Sequence, residues 1–344
     1  MKTSELNPRE RFGLFLIDER PDRIPIIPLI TSHAAIVSGI SVRDYCTNGK
    51  SMAKAHVEAY KRYGHDAVML FSDVGMVAEA FGSTYSFPED DIPTLETPVV
   101  TDLASVSNLS IANMETPGRW GVYFDAIGIT YRQLADRVPI LCFIPAPFTT
   151  AAGMRGTEDF LVDLMLDPEL AHELLKKAEE GVIRLTDEVM LRGALPVLVD
   201  PLASGSVISS SQFKSFALPY LQNCVNYLHR FDMDVILHIC GKTAGLWDGI
   251  PDSHADLFSL DDVSLHDACV TLGNKMRIIG NLRPADMLRW NPKQVEEAVR
   301  EAVITAKDTI KGFALSTGCE VPLATKPENL DAMVMTARWE GRYW

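Results

Sequence analysis

Asp234-Val235-Ile236-Leu237-His238-Ile239-Cys240-Gly241 follows directly on a long amphipathic stretch, residues 211–231. The run 234–237 is short and apolar, so it reads as a buried strand, and the stretch before it reads as a helix. At the end of the strand the chain turns polar. His238 and Cys240 are two apart, and side chains of an extended segment alternate with period two, so both point the same way.

The pattern recurs along the whole chain. Strands are expected at 24–30, 67–71, 139–144, 195–199, 234–237, 256–260, 276–279 and 312–315, with helices between them, among them 51–63, 168–191, 211–231 and 292–307. Asn291 is a good cap for the last of these helices, and Pro292 sits at its first position. Strands alternating with long helices pair in parallel, and eight such units predict a single (β/α)8 barrel domain, a TIM-type α/β fold over 1–344. An open doubly wound sheet fits less well, because no Gly-x-Gly-x-x-Gly turn follows an early strand. Asn7-Pro8 opens a further helix, 9–18, ahead of the first strand. Residues 74–138 separate the second and third strands, far more than a usual connection, and are expected to form a lid over the site.

Lys plus Arg is 32 and Asp plus Glu is 46, giving a net charge of −14, which argues against nucleic acid or an anionic membrane as partner. The start, Met1-Lys2-Thr3-Ser4-Glu5, lacks the apolar core of a signal peptide, and no apolar run is long enough to span a bilayer. The cysteines are Cys46, Cys142, Cys224, Cys240, Cys269 and Cys319, without the dense spacing of a disulfide scaffold, so a reduced cytoplasmic protein is expected.

In a barrel of this kind chemistry sits at the carboxyl ends of the strands. Here those ends carry Ser72-Asp73, Asp200-Pro201, His238-Ile239-Cys240, Asp261-Asp262, Gly280-Asn281 and Gly318-Cys319-Glu320. His238, Cys240 and Cys319 would give zinc three ligands and leave one tetrahedral position open, the pattern of a catalytic rather than a structural site. Asp261 is a candidate fourth ligand, a hydrogen-bond partner for His238, or a helix cap. Asp73 and Asp200 are candidate catalytic groups or caps for the helices that follow, and Asn281 is a third candidate or a turn residue. Tyr45, Phe81, Phe87 and Phe148 are candidates for an aromatic pocket or for the core, and no basic residue stands out near the site.

Glu19-Arg20-Pro21-Asp22-Arg23-Ile24-Pro25, Phe71-Ser72-Asp73, His238-Ile239-Cys240-Gly241, Ile279-Gly280-Asn281-Leu282 and Ser316-Thr317-Gly318-Cys319-Glu320 resemble the uroporphyrinogen decarboxylase superfamily over nearly the whole chain. The His-x-Cys and Gly-Cys pair is similar to its branch of corrinoid-linked, zinc-dependent methyltransferases, which includes methylcobamide:coenzyme M enzymes and enzymes that demethylate methoxylated aromatics or methylamines. The resemblance implies zinc on His238, Cys240 and Cys319, and a corrinoid (cobalamin) presented by a separate corrinoid-binding protein. Asp252-Ser253-His254-Ala255-Asp256-Leu257 lacks the glycine of a corrinoid-binding Asp-x-His-x-x-Gly motif. The expected reaction is demethylation of a methoxylated aromatic or similar small donor, with methyl transfer to a thiol as the close second. Decarboxylases of the family carry Arg-Gln-Ala-Gly-Arg after the first strand. This chain has Pro28-Leu29-Ile30-Thr31-Ser32-His33-Ala34 there, leaving the carboxylates of a tetrapyrrole without partners. A decarboxylase-like lyase and a non-catalytic binder of corrinoid or metal are the alternatives.

Overall fold

The structure is a computed structural model that describes residues 5–111 and 118–343. Residues 112–117 of the expected lid lie outside the described residues. The strands are β1 (Val68–Leu70), β2 (Thr84–Ser86), β3 (Thr94–Thr97), β4 (Ile140–Pro145), β5 (Leu195–Val199), β6 (Ile236–His238), β7 (Leu257–Ser259), β8 (Arg277–Leu282) and β9 (Phe313–Thr317). Seven of them form one parallel sheet in the order β1-β4-β5-β6-β7-β8-β9, and β2 and β3 form a separate antiparallel pair. Among the described residues no helix is long and apolar enough to cross a membrane.

Alternation along the strands sorts their side chains into two cores. Met69, Leu141, Phe143, Val197, Val199, Ile236, Leu257, Ile279 and Ala314 fill the inside of the curled sheet. Val68, Leu70, Cys142, Leu198, Leu237, Phe258, Ile278 and Leu315 pack outward under the helices. Burial on both faces is why the strands read as unbroken apolar runs.

The expected first strand, 24–30, is corrected by the structure. It forms one parallel bridge, Ile26 to Leu315, and no ladder. Pro25 and Pro28 have no N–H to give, so main-chain pairing cannot propagate through them. The segment still occupies the eighth place and closes the barrel. Ile27 N donates to Leu315 O (2.8 Å) on one side and Asp66 N donates to Ile26 O (2.7 Å) on the other. Hydroxyls supply what the prolines cannot: Ser316 Oγ donates to Ile27 O (2.8 Å) and Leu29 N donates to Thr317 Oγ1 (3.0 Å).

Helix Pro8–Leu16 plugs the amino-terminal end of the barrel with Phe12 and Phe15, which join the interior cluster. Beside it the buried Asp66 accepts from Arg11, Arg23 and the Ile26 N–H at 2.6–3.1 Å. The helix expected over 211–231 is interrupted by a π turn, Phe213–Ala217. Pro219 cannot donate to the carbonyl four residues back, which widens the turn.

Between β1 and β4 the chain forms helix Met76–Phe81, the β2–β3 hairpin, a 3-10 turn at Leu103–Asn108 and helix Trp120–Leu134. The last is the barrel's crossover helix. It lies so close to helix Gly49–Tyr63 that a Cβ on Gly49 would sit 2.4 Å from Val122 O. The hairpin folds back toward the rim, where the Tyr85 ring occupies the space a Cβ on Gly75 would need, 2.4 Å away.

Candidate metal centre

In β6, Ile236 points into the barrel and Leu237 outward, and the next inward positions are His238 and Cys240. Cys319 lies two residues beyond the end of β9. Gly318 lets that turn press against the neighbouring loop, since a Cβ there would meet Asp261 Oδ1 at 2.6 Å. The three donor atoms meet: His238 Nε2 is 3.0 Å from Cys240 Sγ, which is 3.1 Å from Cys319 Sγ. The sulfurs are not bonded to each other.

His238 is held from behind. Its Nδ1 is 3.0 Å from Ser259 Oγ, and the Phe143 ring stacks on it at 6.2 Å between centroids and 16° between planes. With Nδ1–H donated to Ser259, the Nε2 lone pair faces the sulfurs, the orientation a metal ligand needs. The hydrogen bond from Cys240 holds the Cys319 thiol down to about 4, with burial opposing and His238 assisting. The same bond, together with burial, pushes the Cys240 thiol up. Burial works against a charge on His238, yet the sulfur of Cys319 lifts its pKa above the ordinary value. The three groups thus share protons as one coupled set.

The donor set suits zinc. Tetrahedral coordination at ordinary Zn–S and Zn–N lengths needs donors about 3.6–3.8 Å apart. The three atoms lie within 4.8 Å of one another, and the contacts of 3.0 and 3.1 Å are about 0.6–0.7 Å short of that spacing, so the donors would move apart to take the ion. Among the described residues these three are the only group of histidine, cysteine and acidic side chains assembled in this way.

The other expected residues take different positions. Asp261 is outside the donor group and accepts from Gly241 N at 2.7 Å, fixing the turn that carries Cys240. The His238 partner is Ser259, one strand over, which the sequence reading passed by. The Asn281 amide donates to Asp261 O (2.9 Å) and Val263 O (2.8 Å), holding the same loop. Asp200 follows the inward Val199 and turns the other way. Its Oδ1 accepts from Thr149 N (2.8 Å) and Thr149 Oγ1 (2.6 Å), capping helix Pro147–Arg155 rather than the helix that follows it in sequence. Burial pushes its carboxyl up to about 7 against those bonds, and among the described residues Oδ2 has no hydrogen-bond partner.

Asp73 binds Arg119 in a two-pronged pair, 2.8 and 3.0 Å, and accepts from Ser72 Oγ and Gly75 N. Arg119 also donates to Glu79 at 2.7 Å and lies 4.6 Å from the Phe87 ring centroid. It is the basic residue that sequence reading missed. It lies more than forty positions from its partner, with only the adjacent buried Trp120 to mark it.

A cavity of about 40 Å3 opens beside the cluster, lined by Phe71, Val74, Phe143, Pro201, His238, Cys240, Cys319 and Glu320 among others. Phe71 and Phe143 face it, whereas of the aromatic candidates Tyr45, Phe81 and Phe148 take the core alternative and Phe87 packs against that outer core. Glu320 Oε2 accepts from Thr31 Oγ1 at 2.6 Å, and burial pushes this carboxyl up to about 8 despite that bond.

A profile of the uroporphyrinogen decarboxylase (URO-D) family matches residues 7–339. The chain is 28% identical over 340 residues to a methylated-thiol–coenzyme M methyltransferase of Methanosarcina mazei, covering 97% of this chain and 90% of that one. It is also 28% identical over 300 residues to a uroporphyrinogen decarboxylase of Idiomarina loihiensis, covering 84% and 82%. Among solved structures, a methyltransferase from Methanosarcina mazei superposes with a TM-score of 0.87 at 22% identity, over 97% of this chain and 99% of that one, which shows a shared fold.

Proposed function

The chain belongs to the uroporphyrinogen decarboxylase family, and from the His238–Cys240–Cys319 cluster that its barrel mouth carries we propose that it is a methyltransferase. Methyl passes between a small substrate and a corrinoid carried on a separate protein. The cluster is the observation that carries this reading, and the relationship to a methylated-thiol methyltransferase supports it. Zinc bound there would stabilise the thiolate or alkoxide from which the methyl group departs or which receives it.

The protein's own residues do the rest. Ser259 and Phe143 fix the imidazole, Asp261 and Asn281 fix the turn bearing Cys240, and Asp200 anchors the chain after β5. Asp73 ties Arg119, and with it the start of the crossover helix, to the rim, where the β2–β3 hairpin serves as a lid. The apolar walls exclude water and hold the methyl carbon in line, which displacement at carbon requires. The cavity is small, about 40 Å3, which favours a small methylthio or methoxy compound over a bulky one. Two thiolate ligands make a soft centre, which suits sulfur better than oxygen. The substrate class is therefore a small thiol and its methyl thioether.

Zinc analysis with a single-turnover assay on free methylcobalamin tests this. One zinc per chain and methyl transfer to a small thiol are expected. A folded protein that binds no zinc, or that moves no methyl group to any thiol, phenol or amine, overturns the reading.

A further inference from the structure

The cavity beside the cluster has an uneven lining. Its walls carry two sulfurs and the carboxyl of Glu320, and no lysine or arginine. The nearest guanidinium, Arg119, is spent on Asp73 and Glu79. Glu320 uses only Oε2, on Thr31, and among the described residues Oε1 accepts no hydrogen bond. Phe71 and Phe143 line the same cavity and form a corner, with centroids 5.3 Å apart and planes tilted by 60°.

Each of these features has a chemical preference. A carboxylate removed from water is stabilised by a cation with hydrogens to donate. An aromatic corner accepts a cation and offers nothing to an anion. A metal centre with two thiolate ligands adds no net positive charge to attract an anion, because the ligand charges cancel that of the ion. An anionic substrate would therefore find no cationic partner among the side chains that line this space.

We infer that the small thiol taken by this site carries a positively charged group of the ammonium type, about two carbons from its sulfur. Glu320 is the residue that selects it. The inference rests on the methyltransferase reading and narrows its substrate. Sulfur lies at the metal centre, the ammonium group lies at Glu320 beside Phe71 and Phe143, and the short linking chain fills the remaining volume. Thr31 is the positioning residue, since its hydroxyl fixes Oε2 and leaves Oε1 turned to the ligand.

The test compares three thiols of similar length, cysteamine, 2-mercaptoethanol and 3-mercaptopropionate, on zinc-loaded full-length protein. Binding is read by calorimetry, and methyl transfer from methylcobalamin is read alongside it. A buried hydrogen bond between charged groups corresponds to a preference of about ten- to hundred-fold for cysteamine over 2-mercaptoethanol. The propionate should bind weakest. In Glu320→Gln, which keeps the bond to Thr31, the ratio of cysteamine to 2-mercaptoethanol affinities should collapse toward one. That collapse separates recognition by Glu320 from chelation of the metal by the amine, which the variant leaves in place. Melting temperature and zinc content of the variant show that it folds and loads.

Equal affinities for the three thiols, a preference for the propionate, or a cysteamine preference that survives in Glu320→Gln would each overturn the inference while leaving methyl transfer standing. Absence of binding and transfer with every thiol would overturn both.

Discussion

At the amino-terminal end of the barrel, Asp66 meets Arg11 and Arg23 in a closed set of bonds. At the carboxyl end, two sulfurs, an imidazole and Glu320 crowd together without a cation among them. Asp66 and His238 are buried, and Cys240, Cys319 and Glu320 are half-buried, so both places gather polar groups that are costly to remove from water. The difference lies in whether the protein itself completes the pairing. Asp66 accepts four bonds from its own chain, and nothing further is needed. Among the described residues the side chains of the cluster bond to one another and to Ser259, and the proposed zinc would complete them. One end holds the barrel together, and the other keeps reactivity that folding leaves unspent.

Substitutions at the two ends should therefore behave in opposite ways. The largest effect is expected from Cys319→Ala. Zinc per chain should fall from one to near zero and methyl transfer should disappear, with no drop in the melting temperature of the metal-free protein. Asp66→Asn should do the reverse. Removing one partner of a buried ion pair costs about 3–5 kcal/mol, read as a lower denaturant midpoint, with zinc stoichiometry of the folded fraction unaltered.

Asp200 is an intermediate case, a buried carboxyl paired by Thr149 at one oxygen only. Its folded pKa, raised to about 7, lies above the ordinary carboxylate value, so the native state holds the proton more tightly than the unfolded chain. The stability it contributes is full below about pH 4 and is lost as the pH rises through about 7. Asp200→Asn should flatten that part of the stability curve by a few kcal/mol at most, measured as denaturant midpoints between pH 4 and 8. If the variant and the parent keep parallel curves, this carboxyl is not the titrating group. The smallest effect is expected from Ser259→Ala. Loss of the partner behind a histidine ligand weakens metal binding by about 10- to 100-fold, and zinc competition titration measures it. An unchanged zinc affinity would mean that stacking on Phe143 alone orients His238.

How much of this could be read from the sequence depended on how locally each feature is encoded. Alternation of apolar strands and amphipathic helices is a local signal, and it placed the ends of β4 through β9 within three residues. The donor group was legible because period-two spacing joins His238 to Cys240 inside one strand, and Cys319 closes the matching position on another. Features set by packing between distant segments were not legible. Pro25 and Pro28 sit in a run that reads as a strand, yet the missing N–H groups reduce it to a bridge. Asp200, read as a candidate catalytic group or a cap for its own next helix, instead caps the one at Pro147, because β4 and β5 lie side by side and bring that helix start within reach. Arg119 reaches Asp73 from the far end of a long connection that no periodicity describes.

The bonds that close the barrel have a genetic consequence. A main-chain ladder cannot be deleted by a codon change, short of introducing proline, because its donors and acceptors are common to nearly every residue. The seam between residues 24–30 and β9 is different: Ser316 and Thr317 hold it partly through their hydroxyls. This joint in the wall is therefore written in side chains, and mutation to alanine and valine there can loosen it. Cys319 lies two residues beyond Thr317, so a lineage that drifts at the seam puts the position of the proposed metal ligand at risk without touching that residue itself.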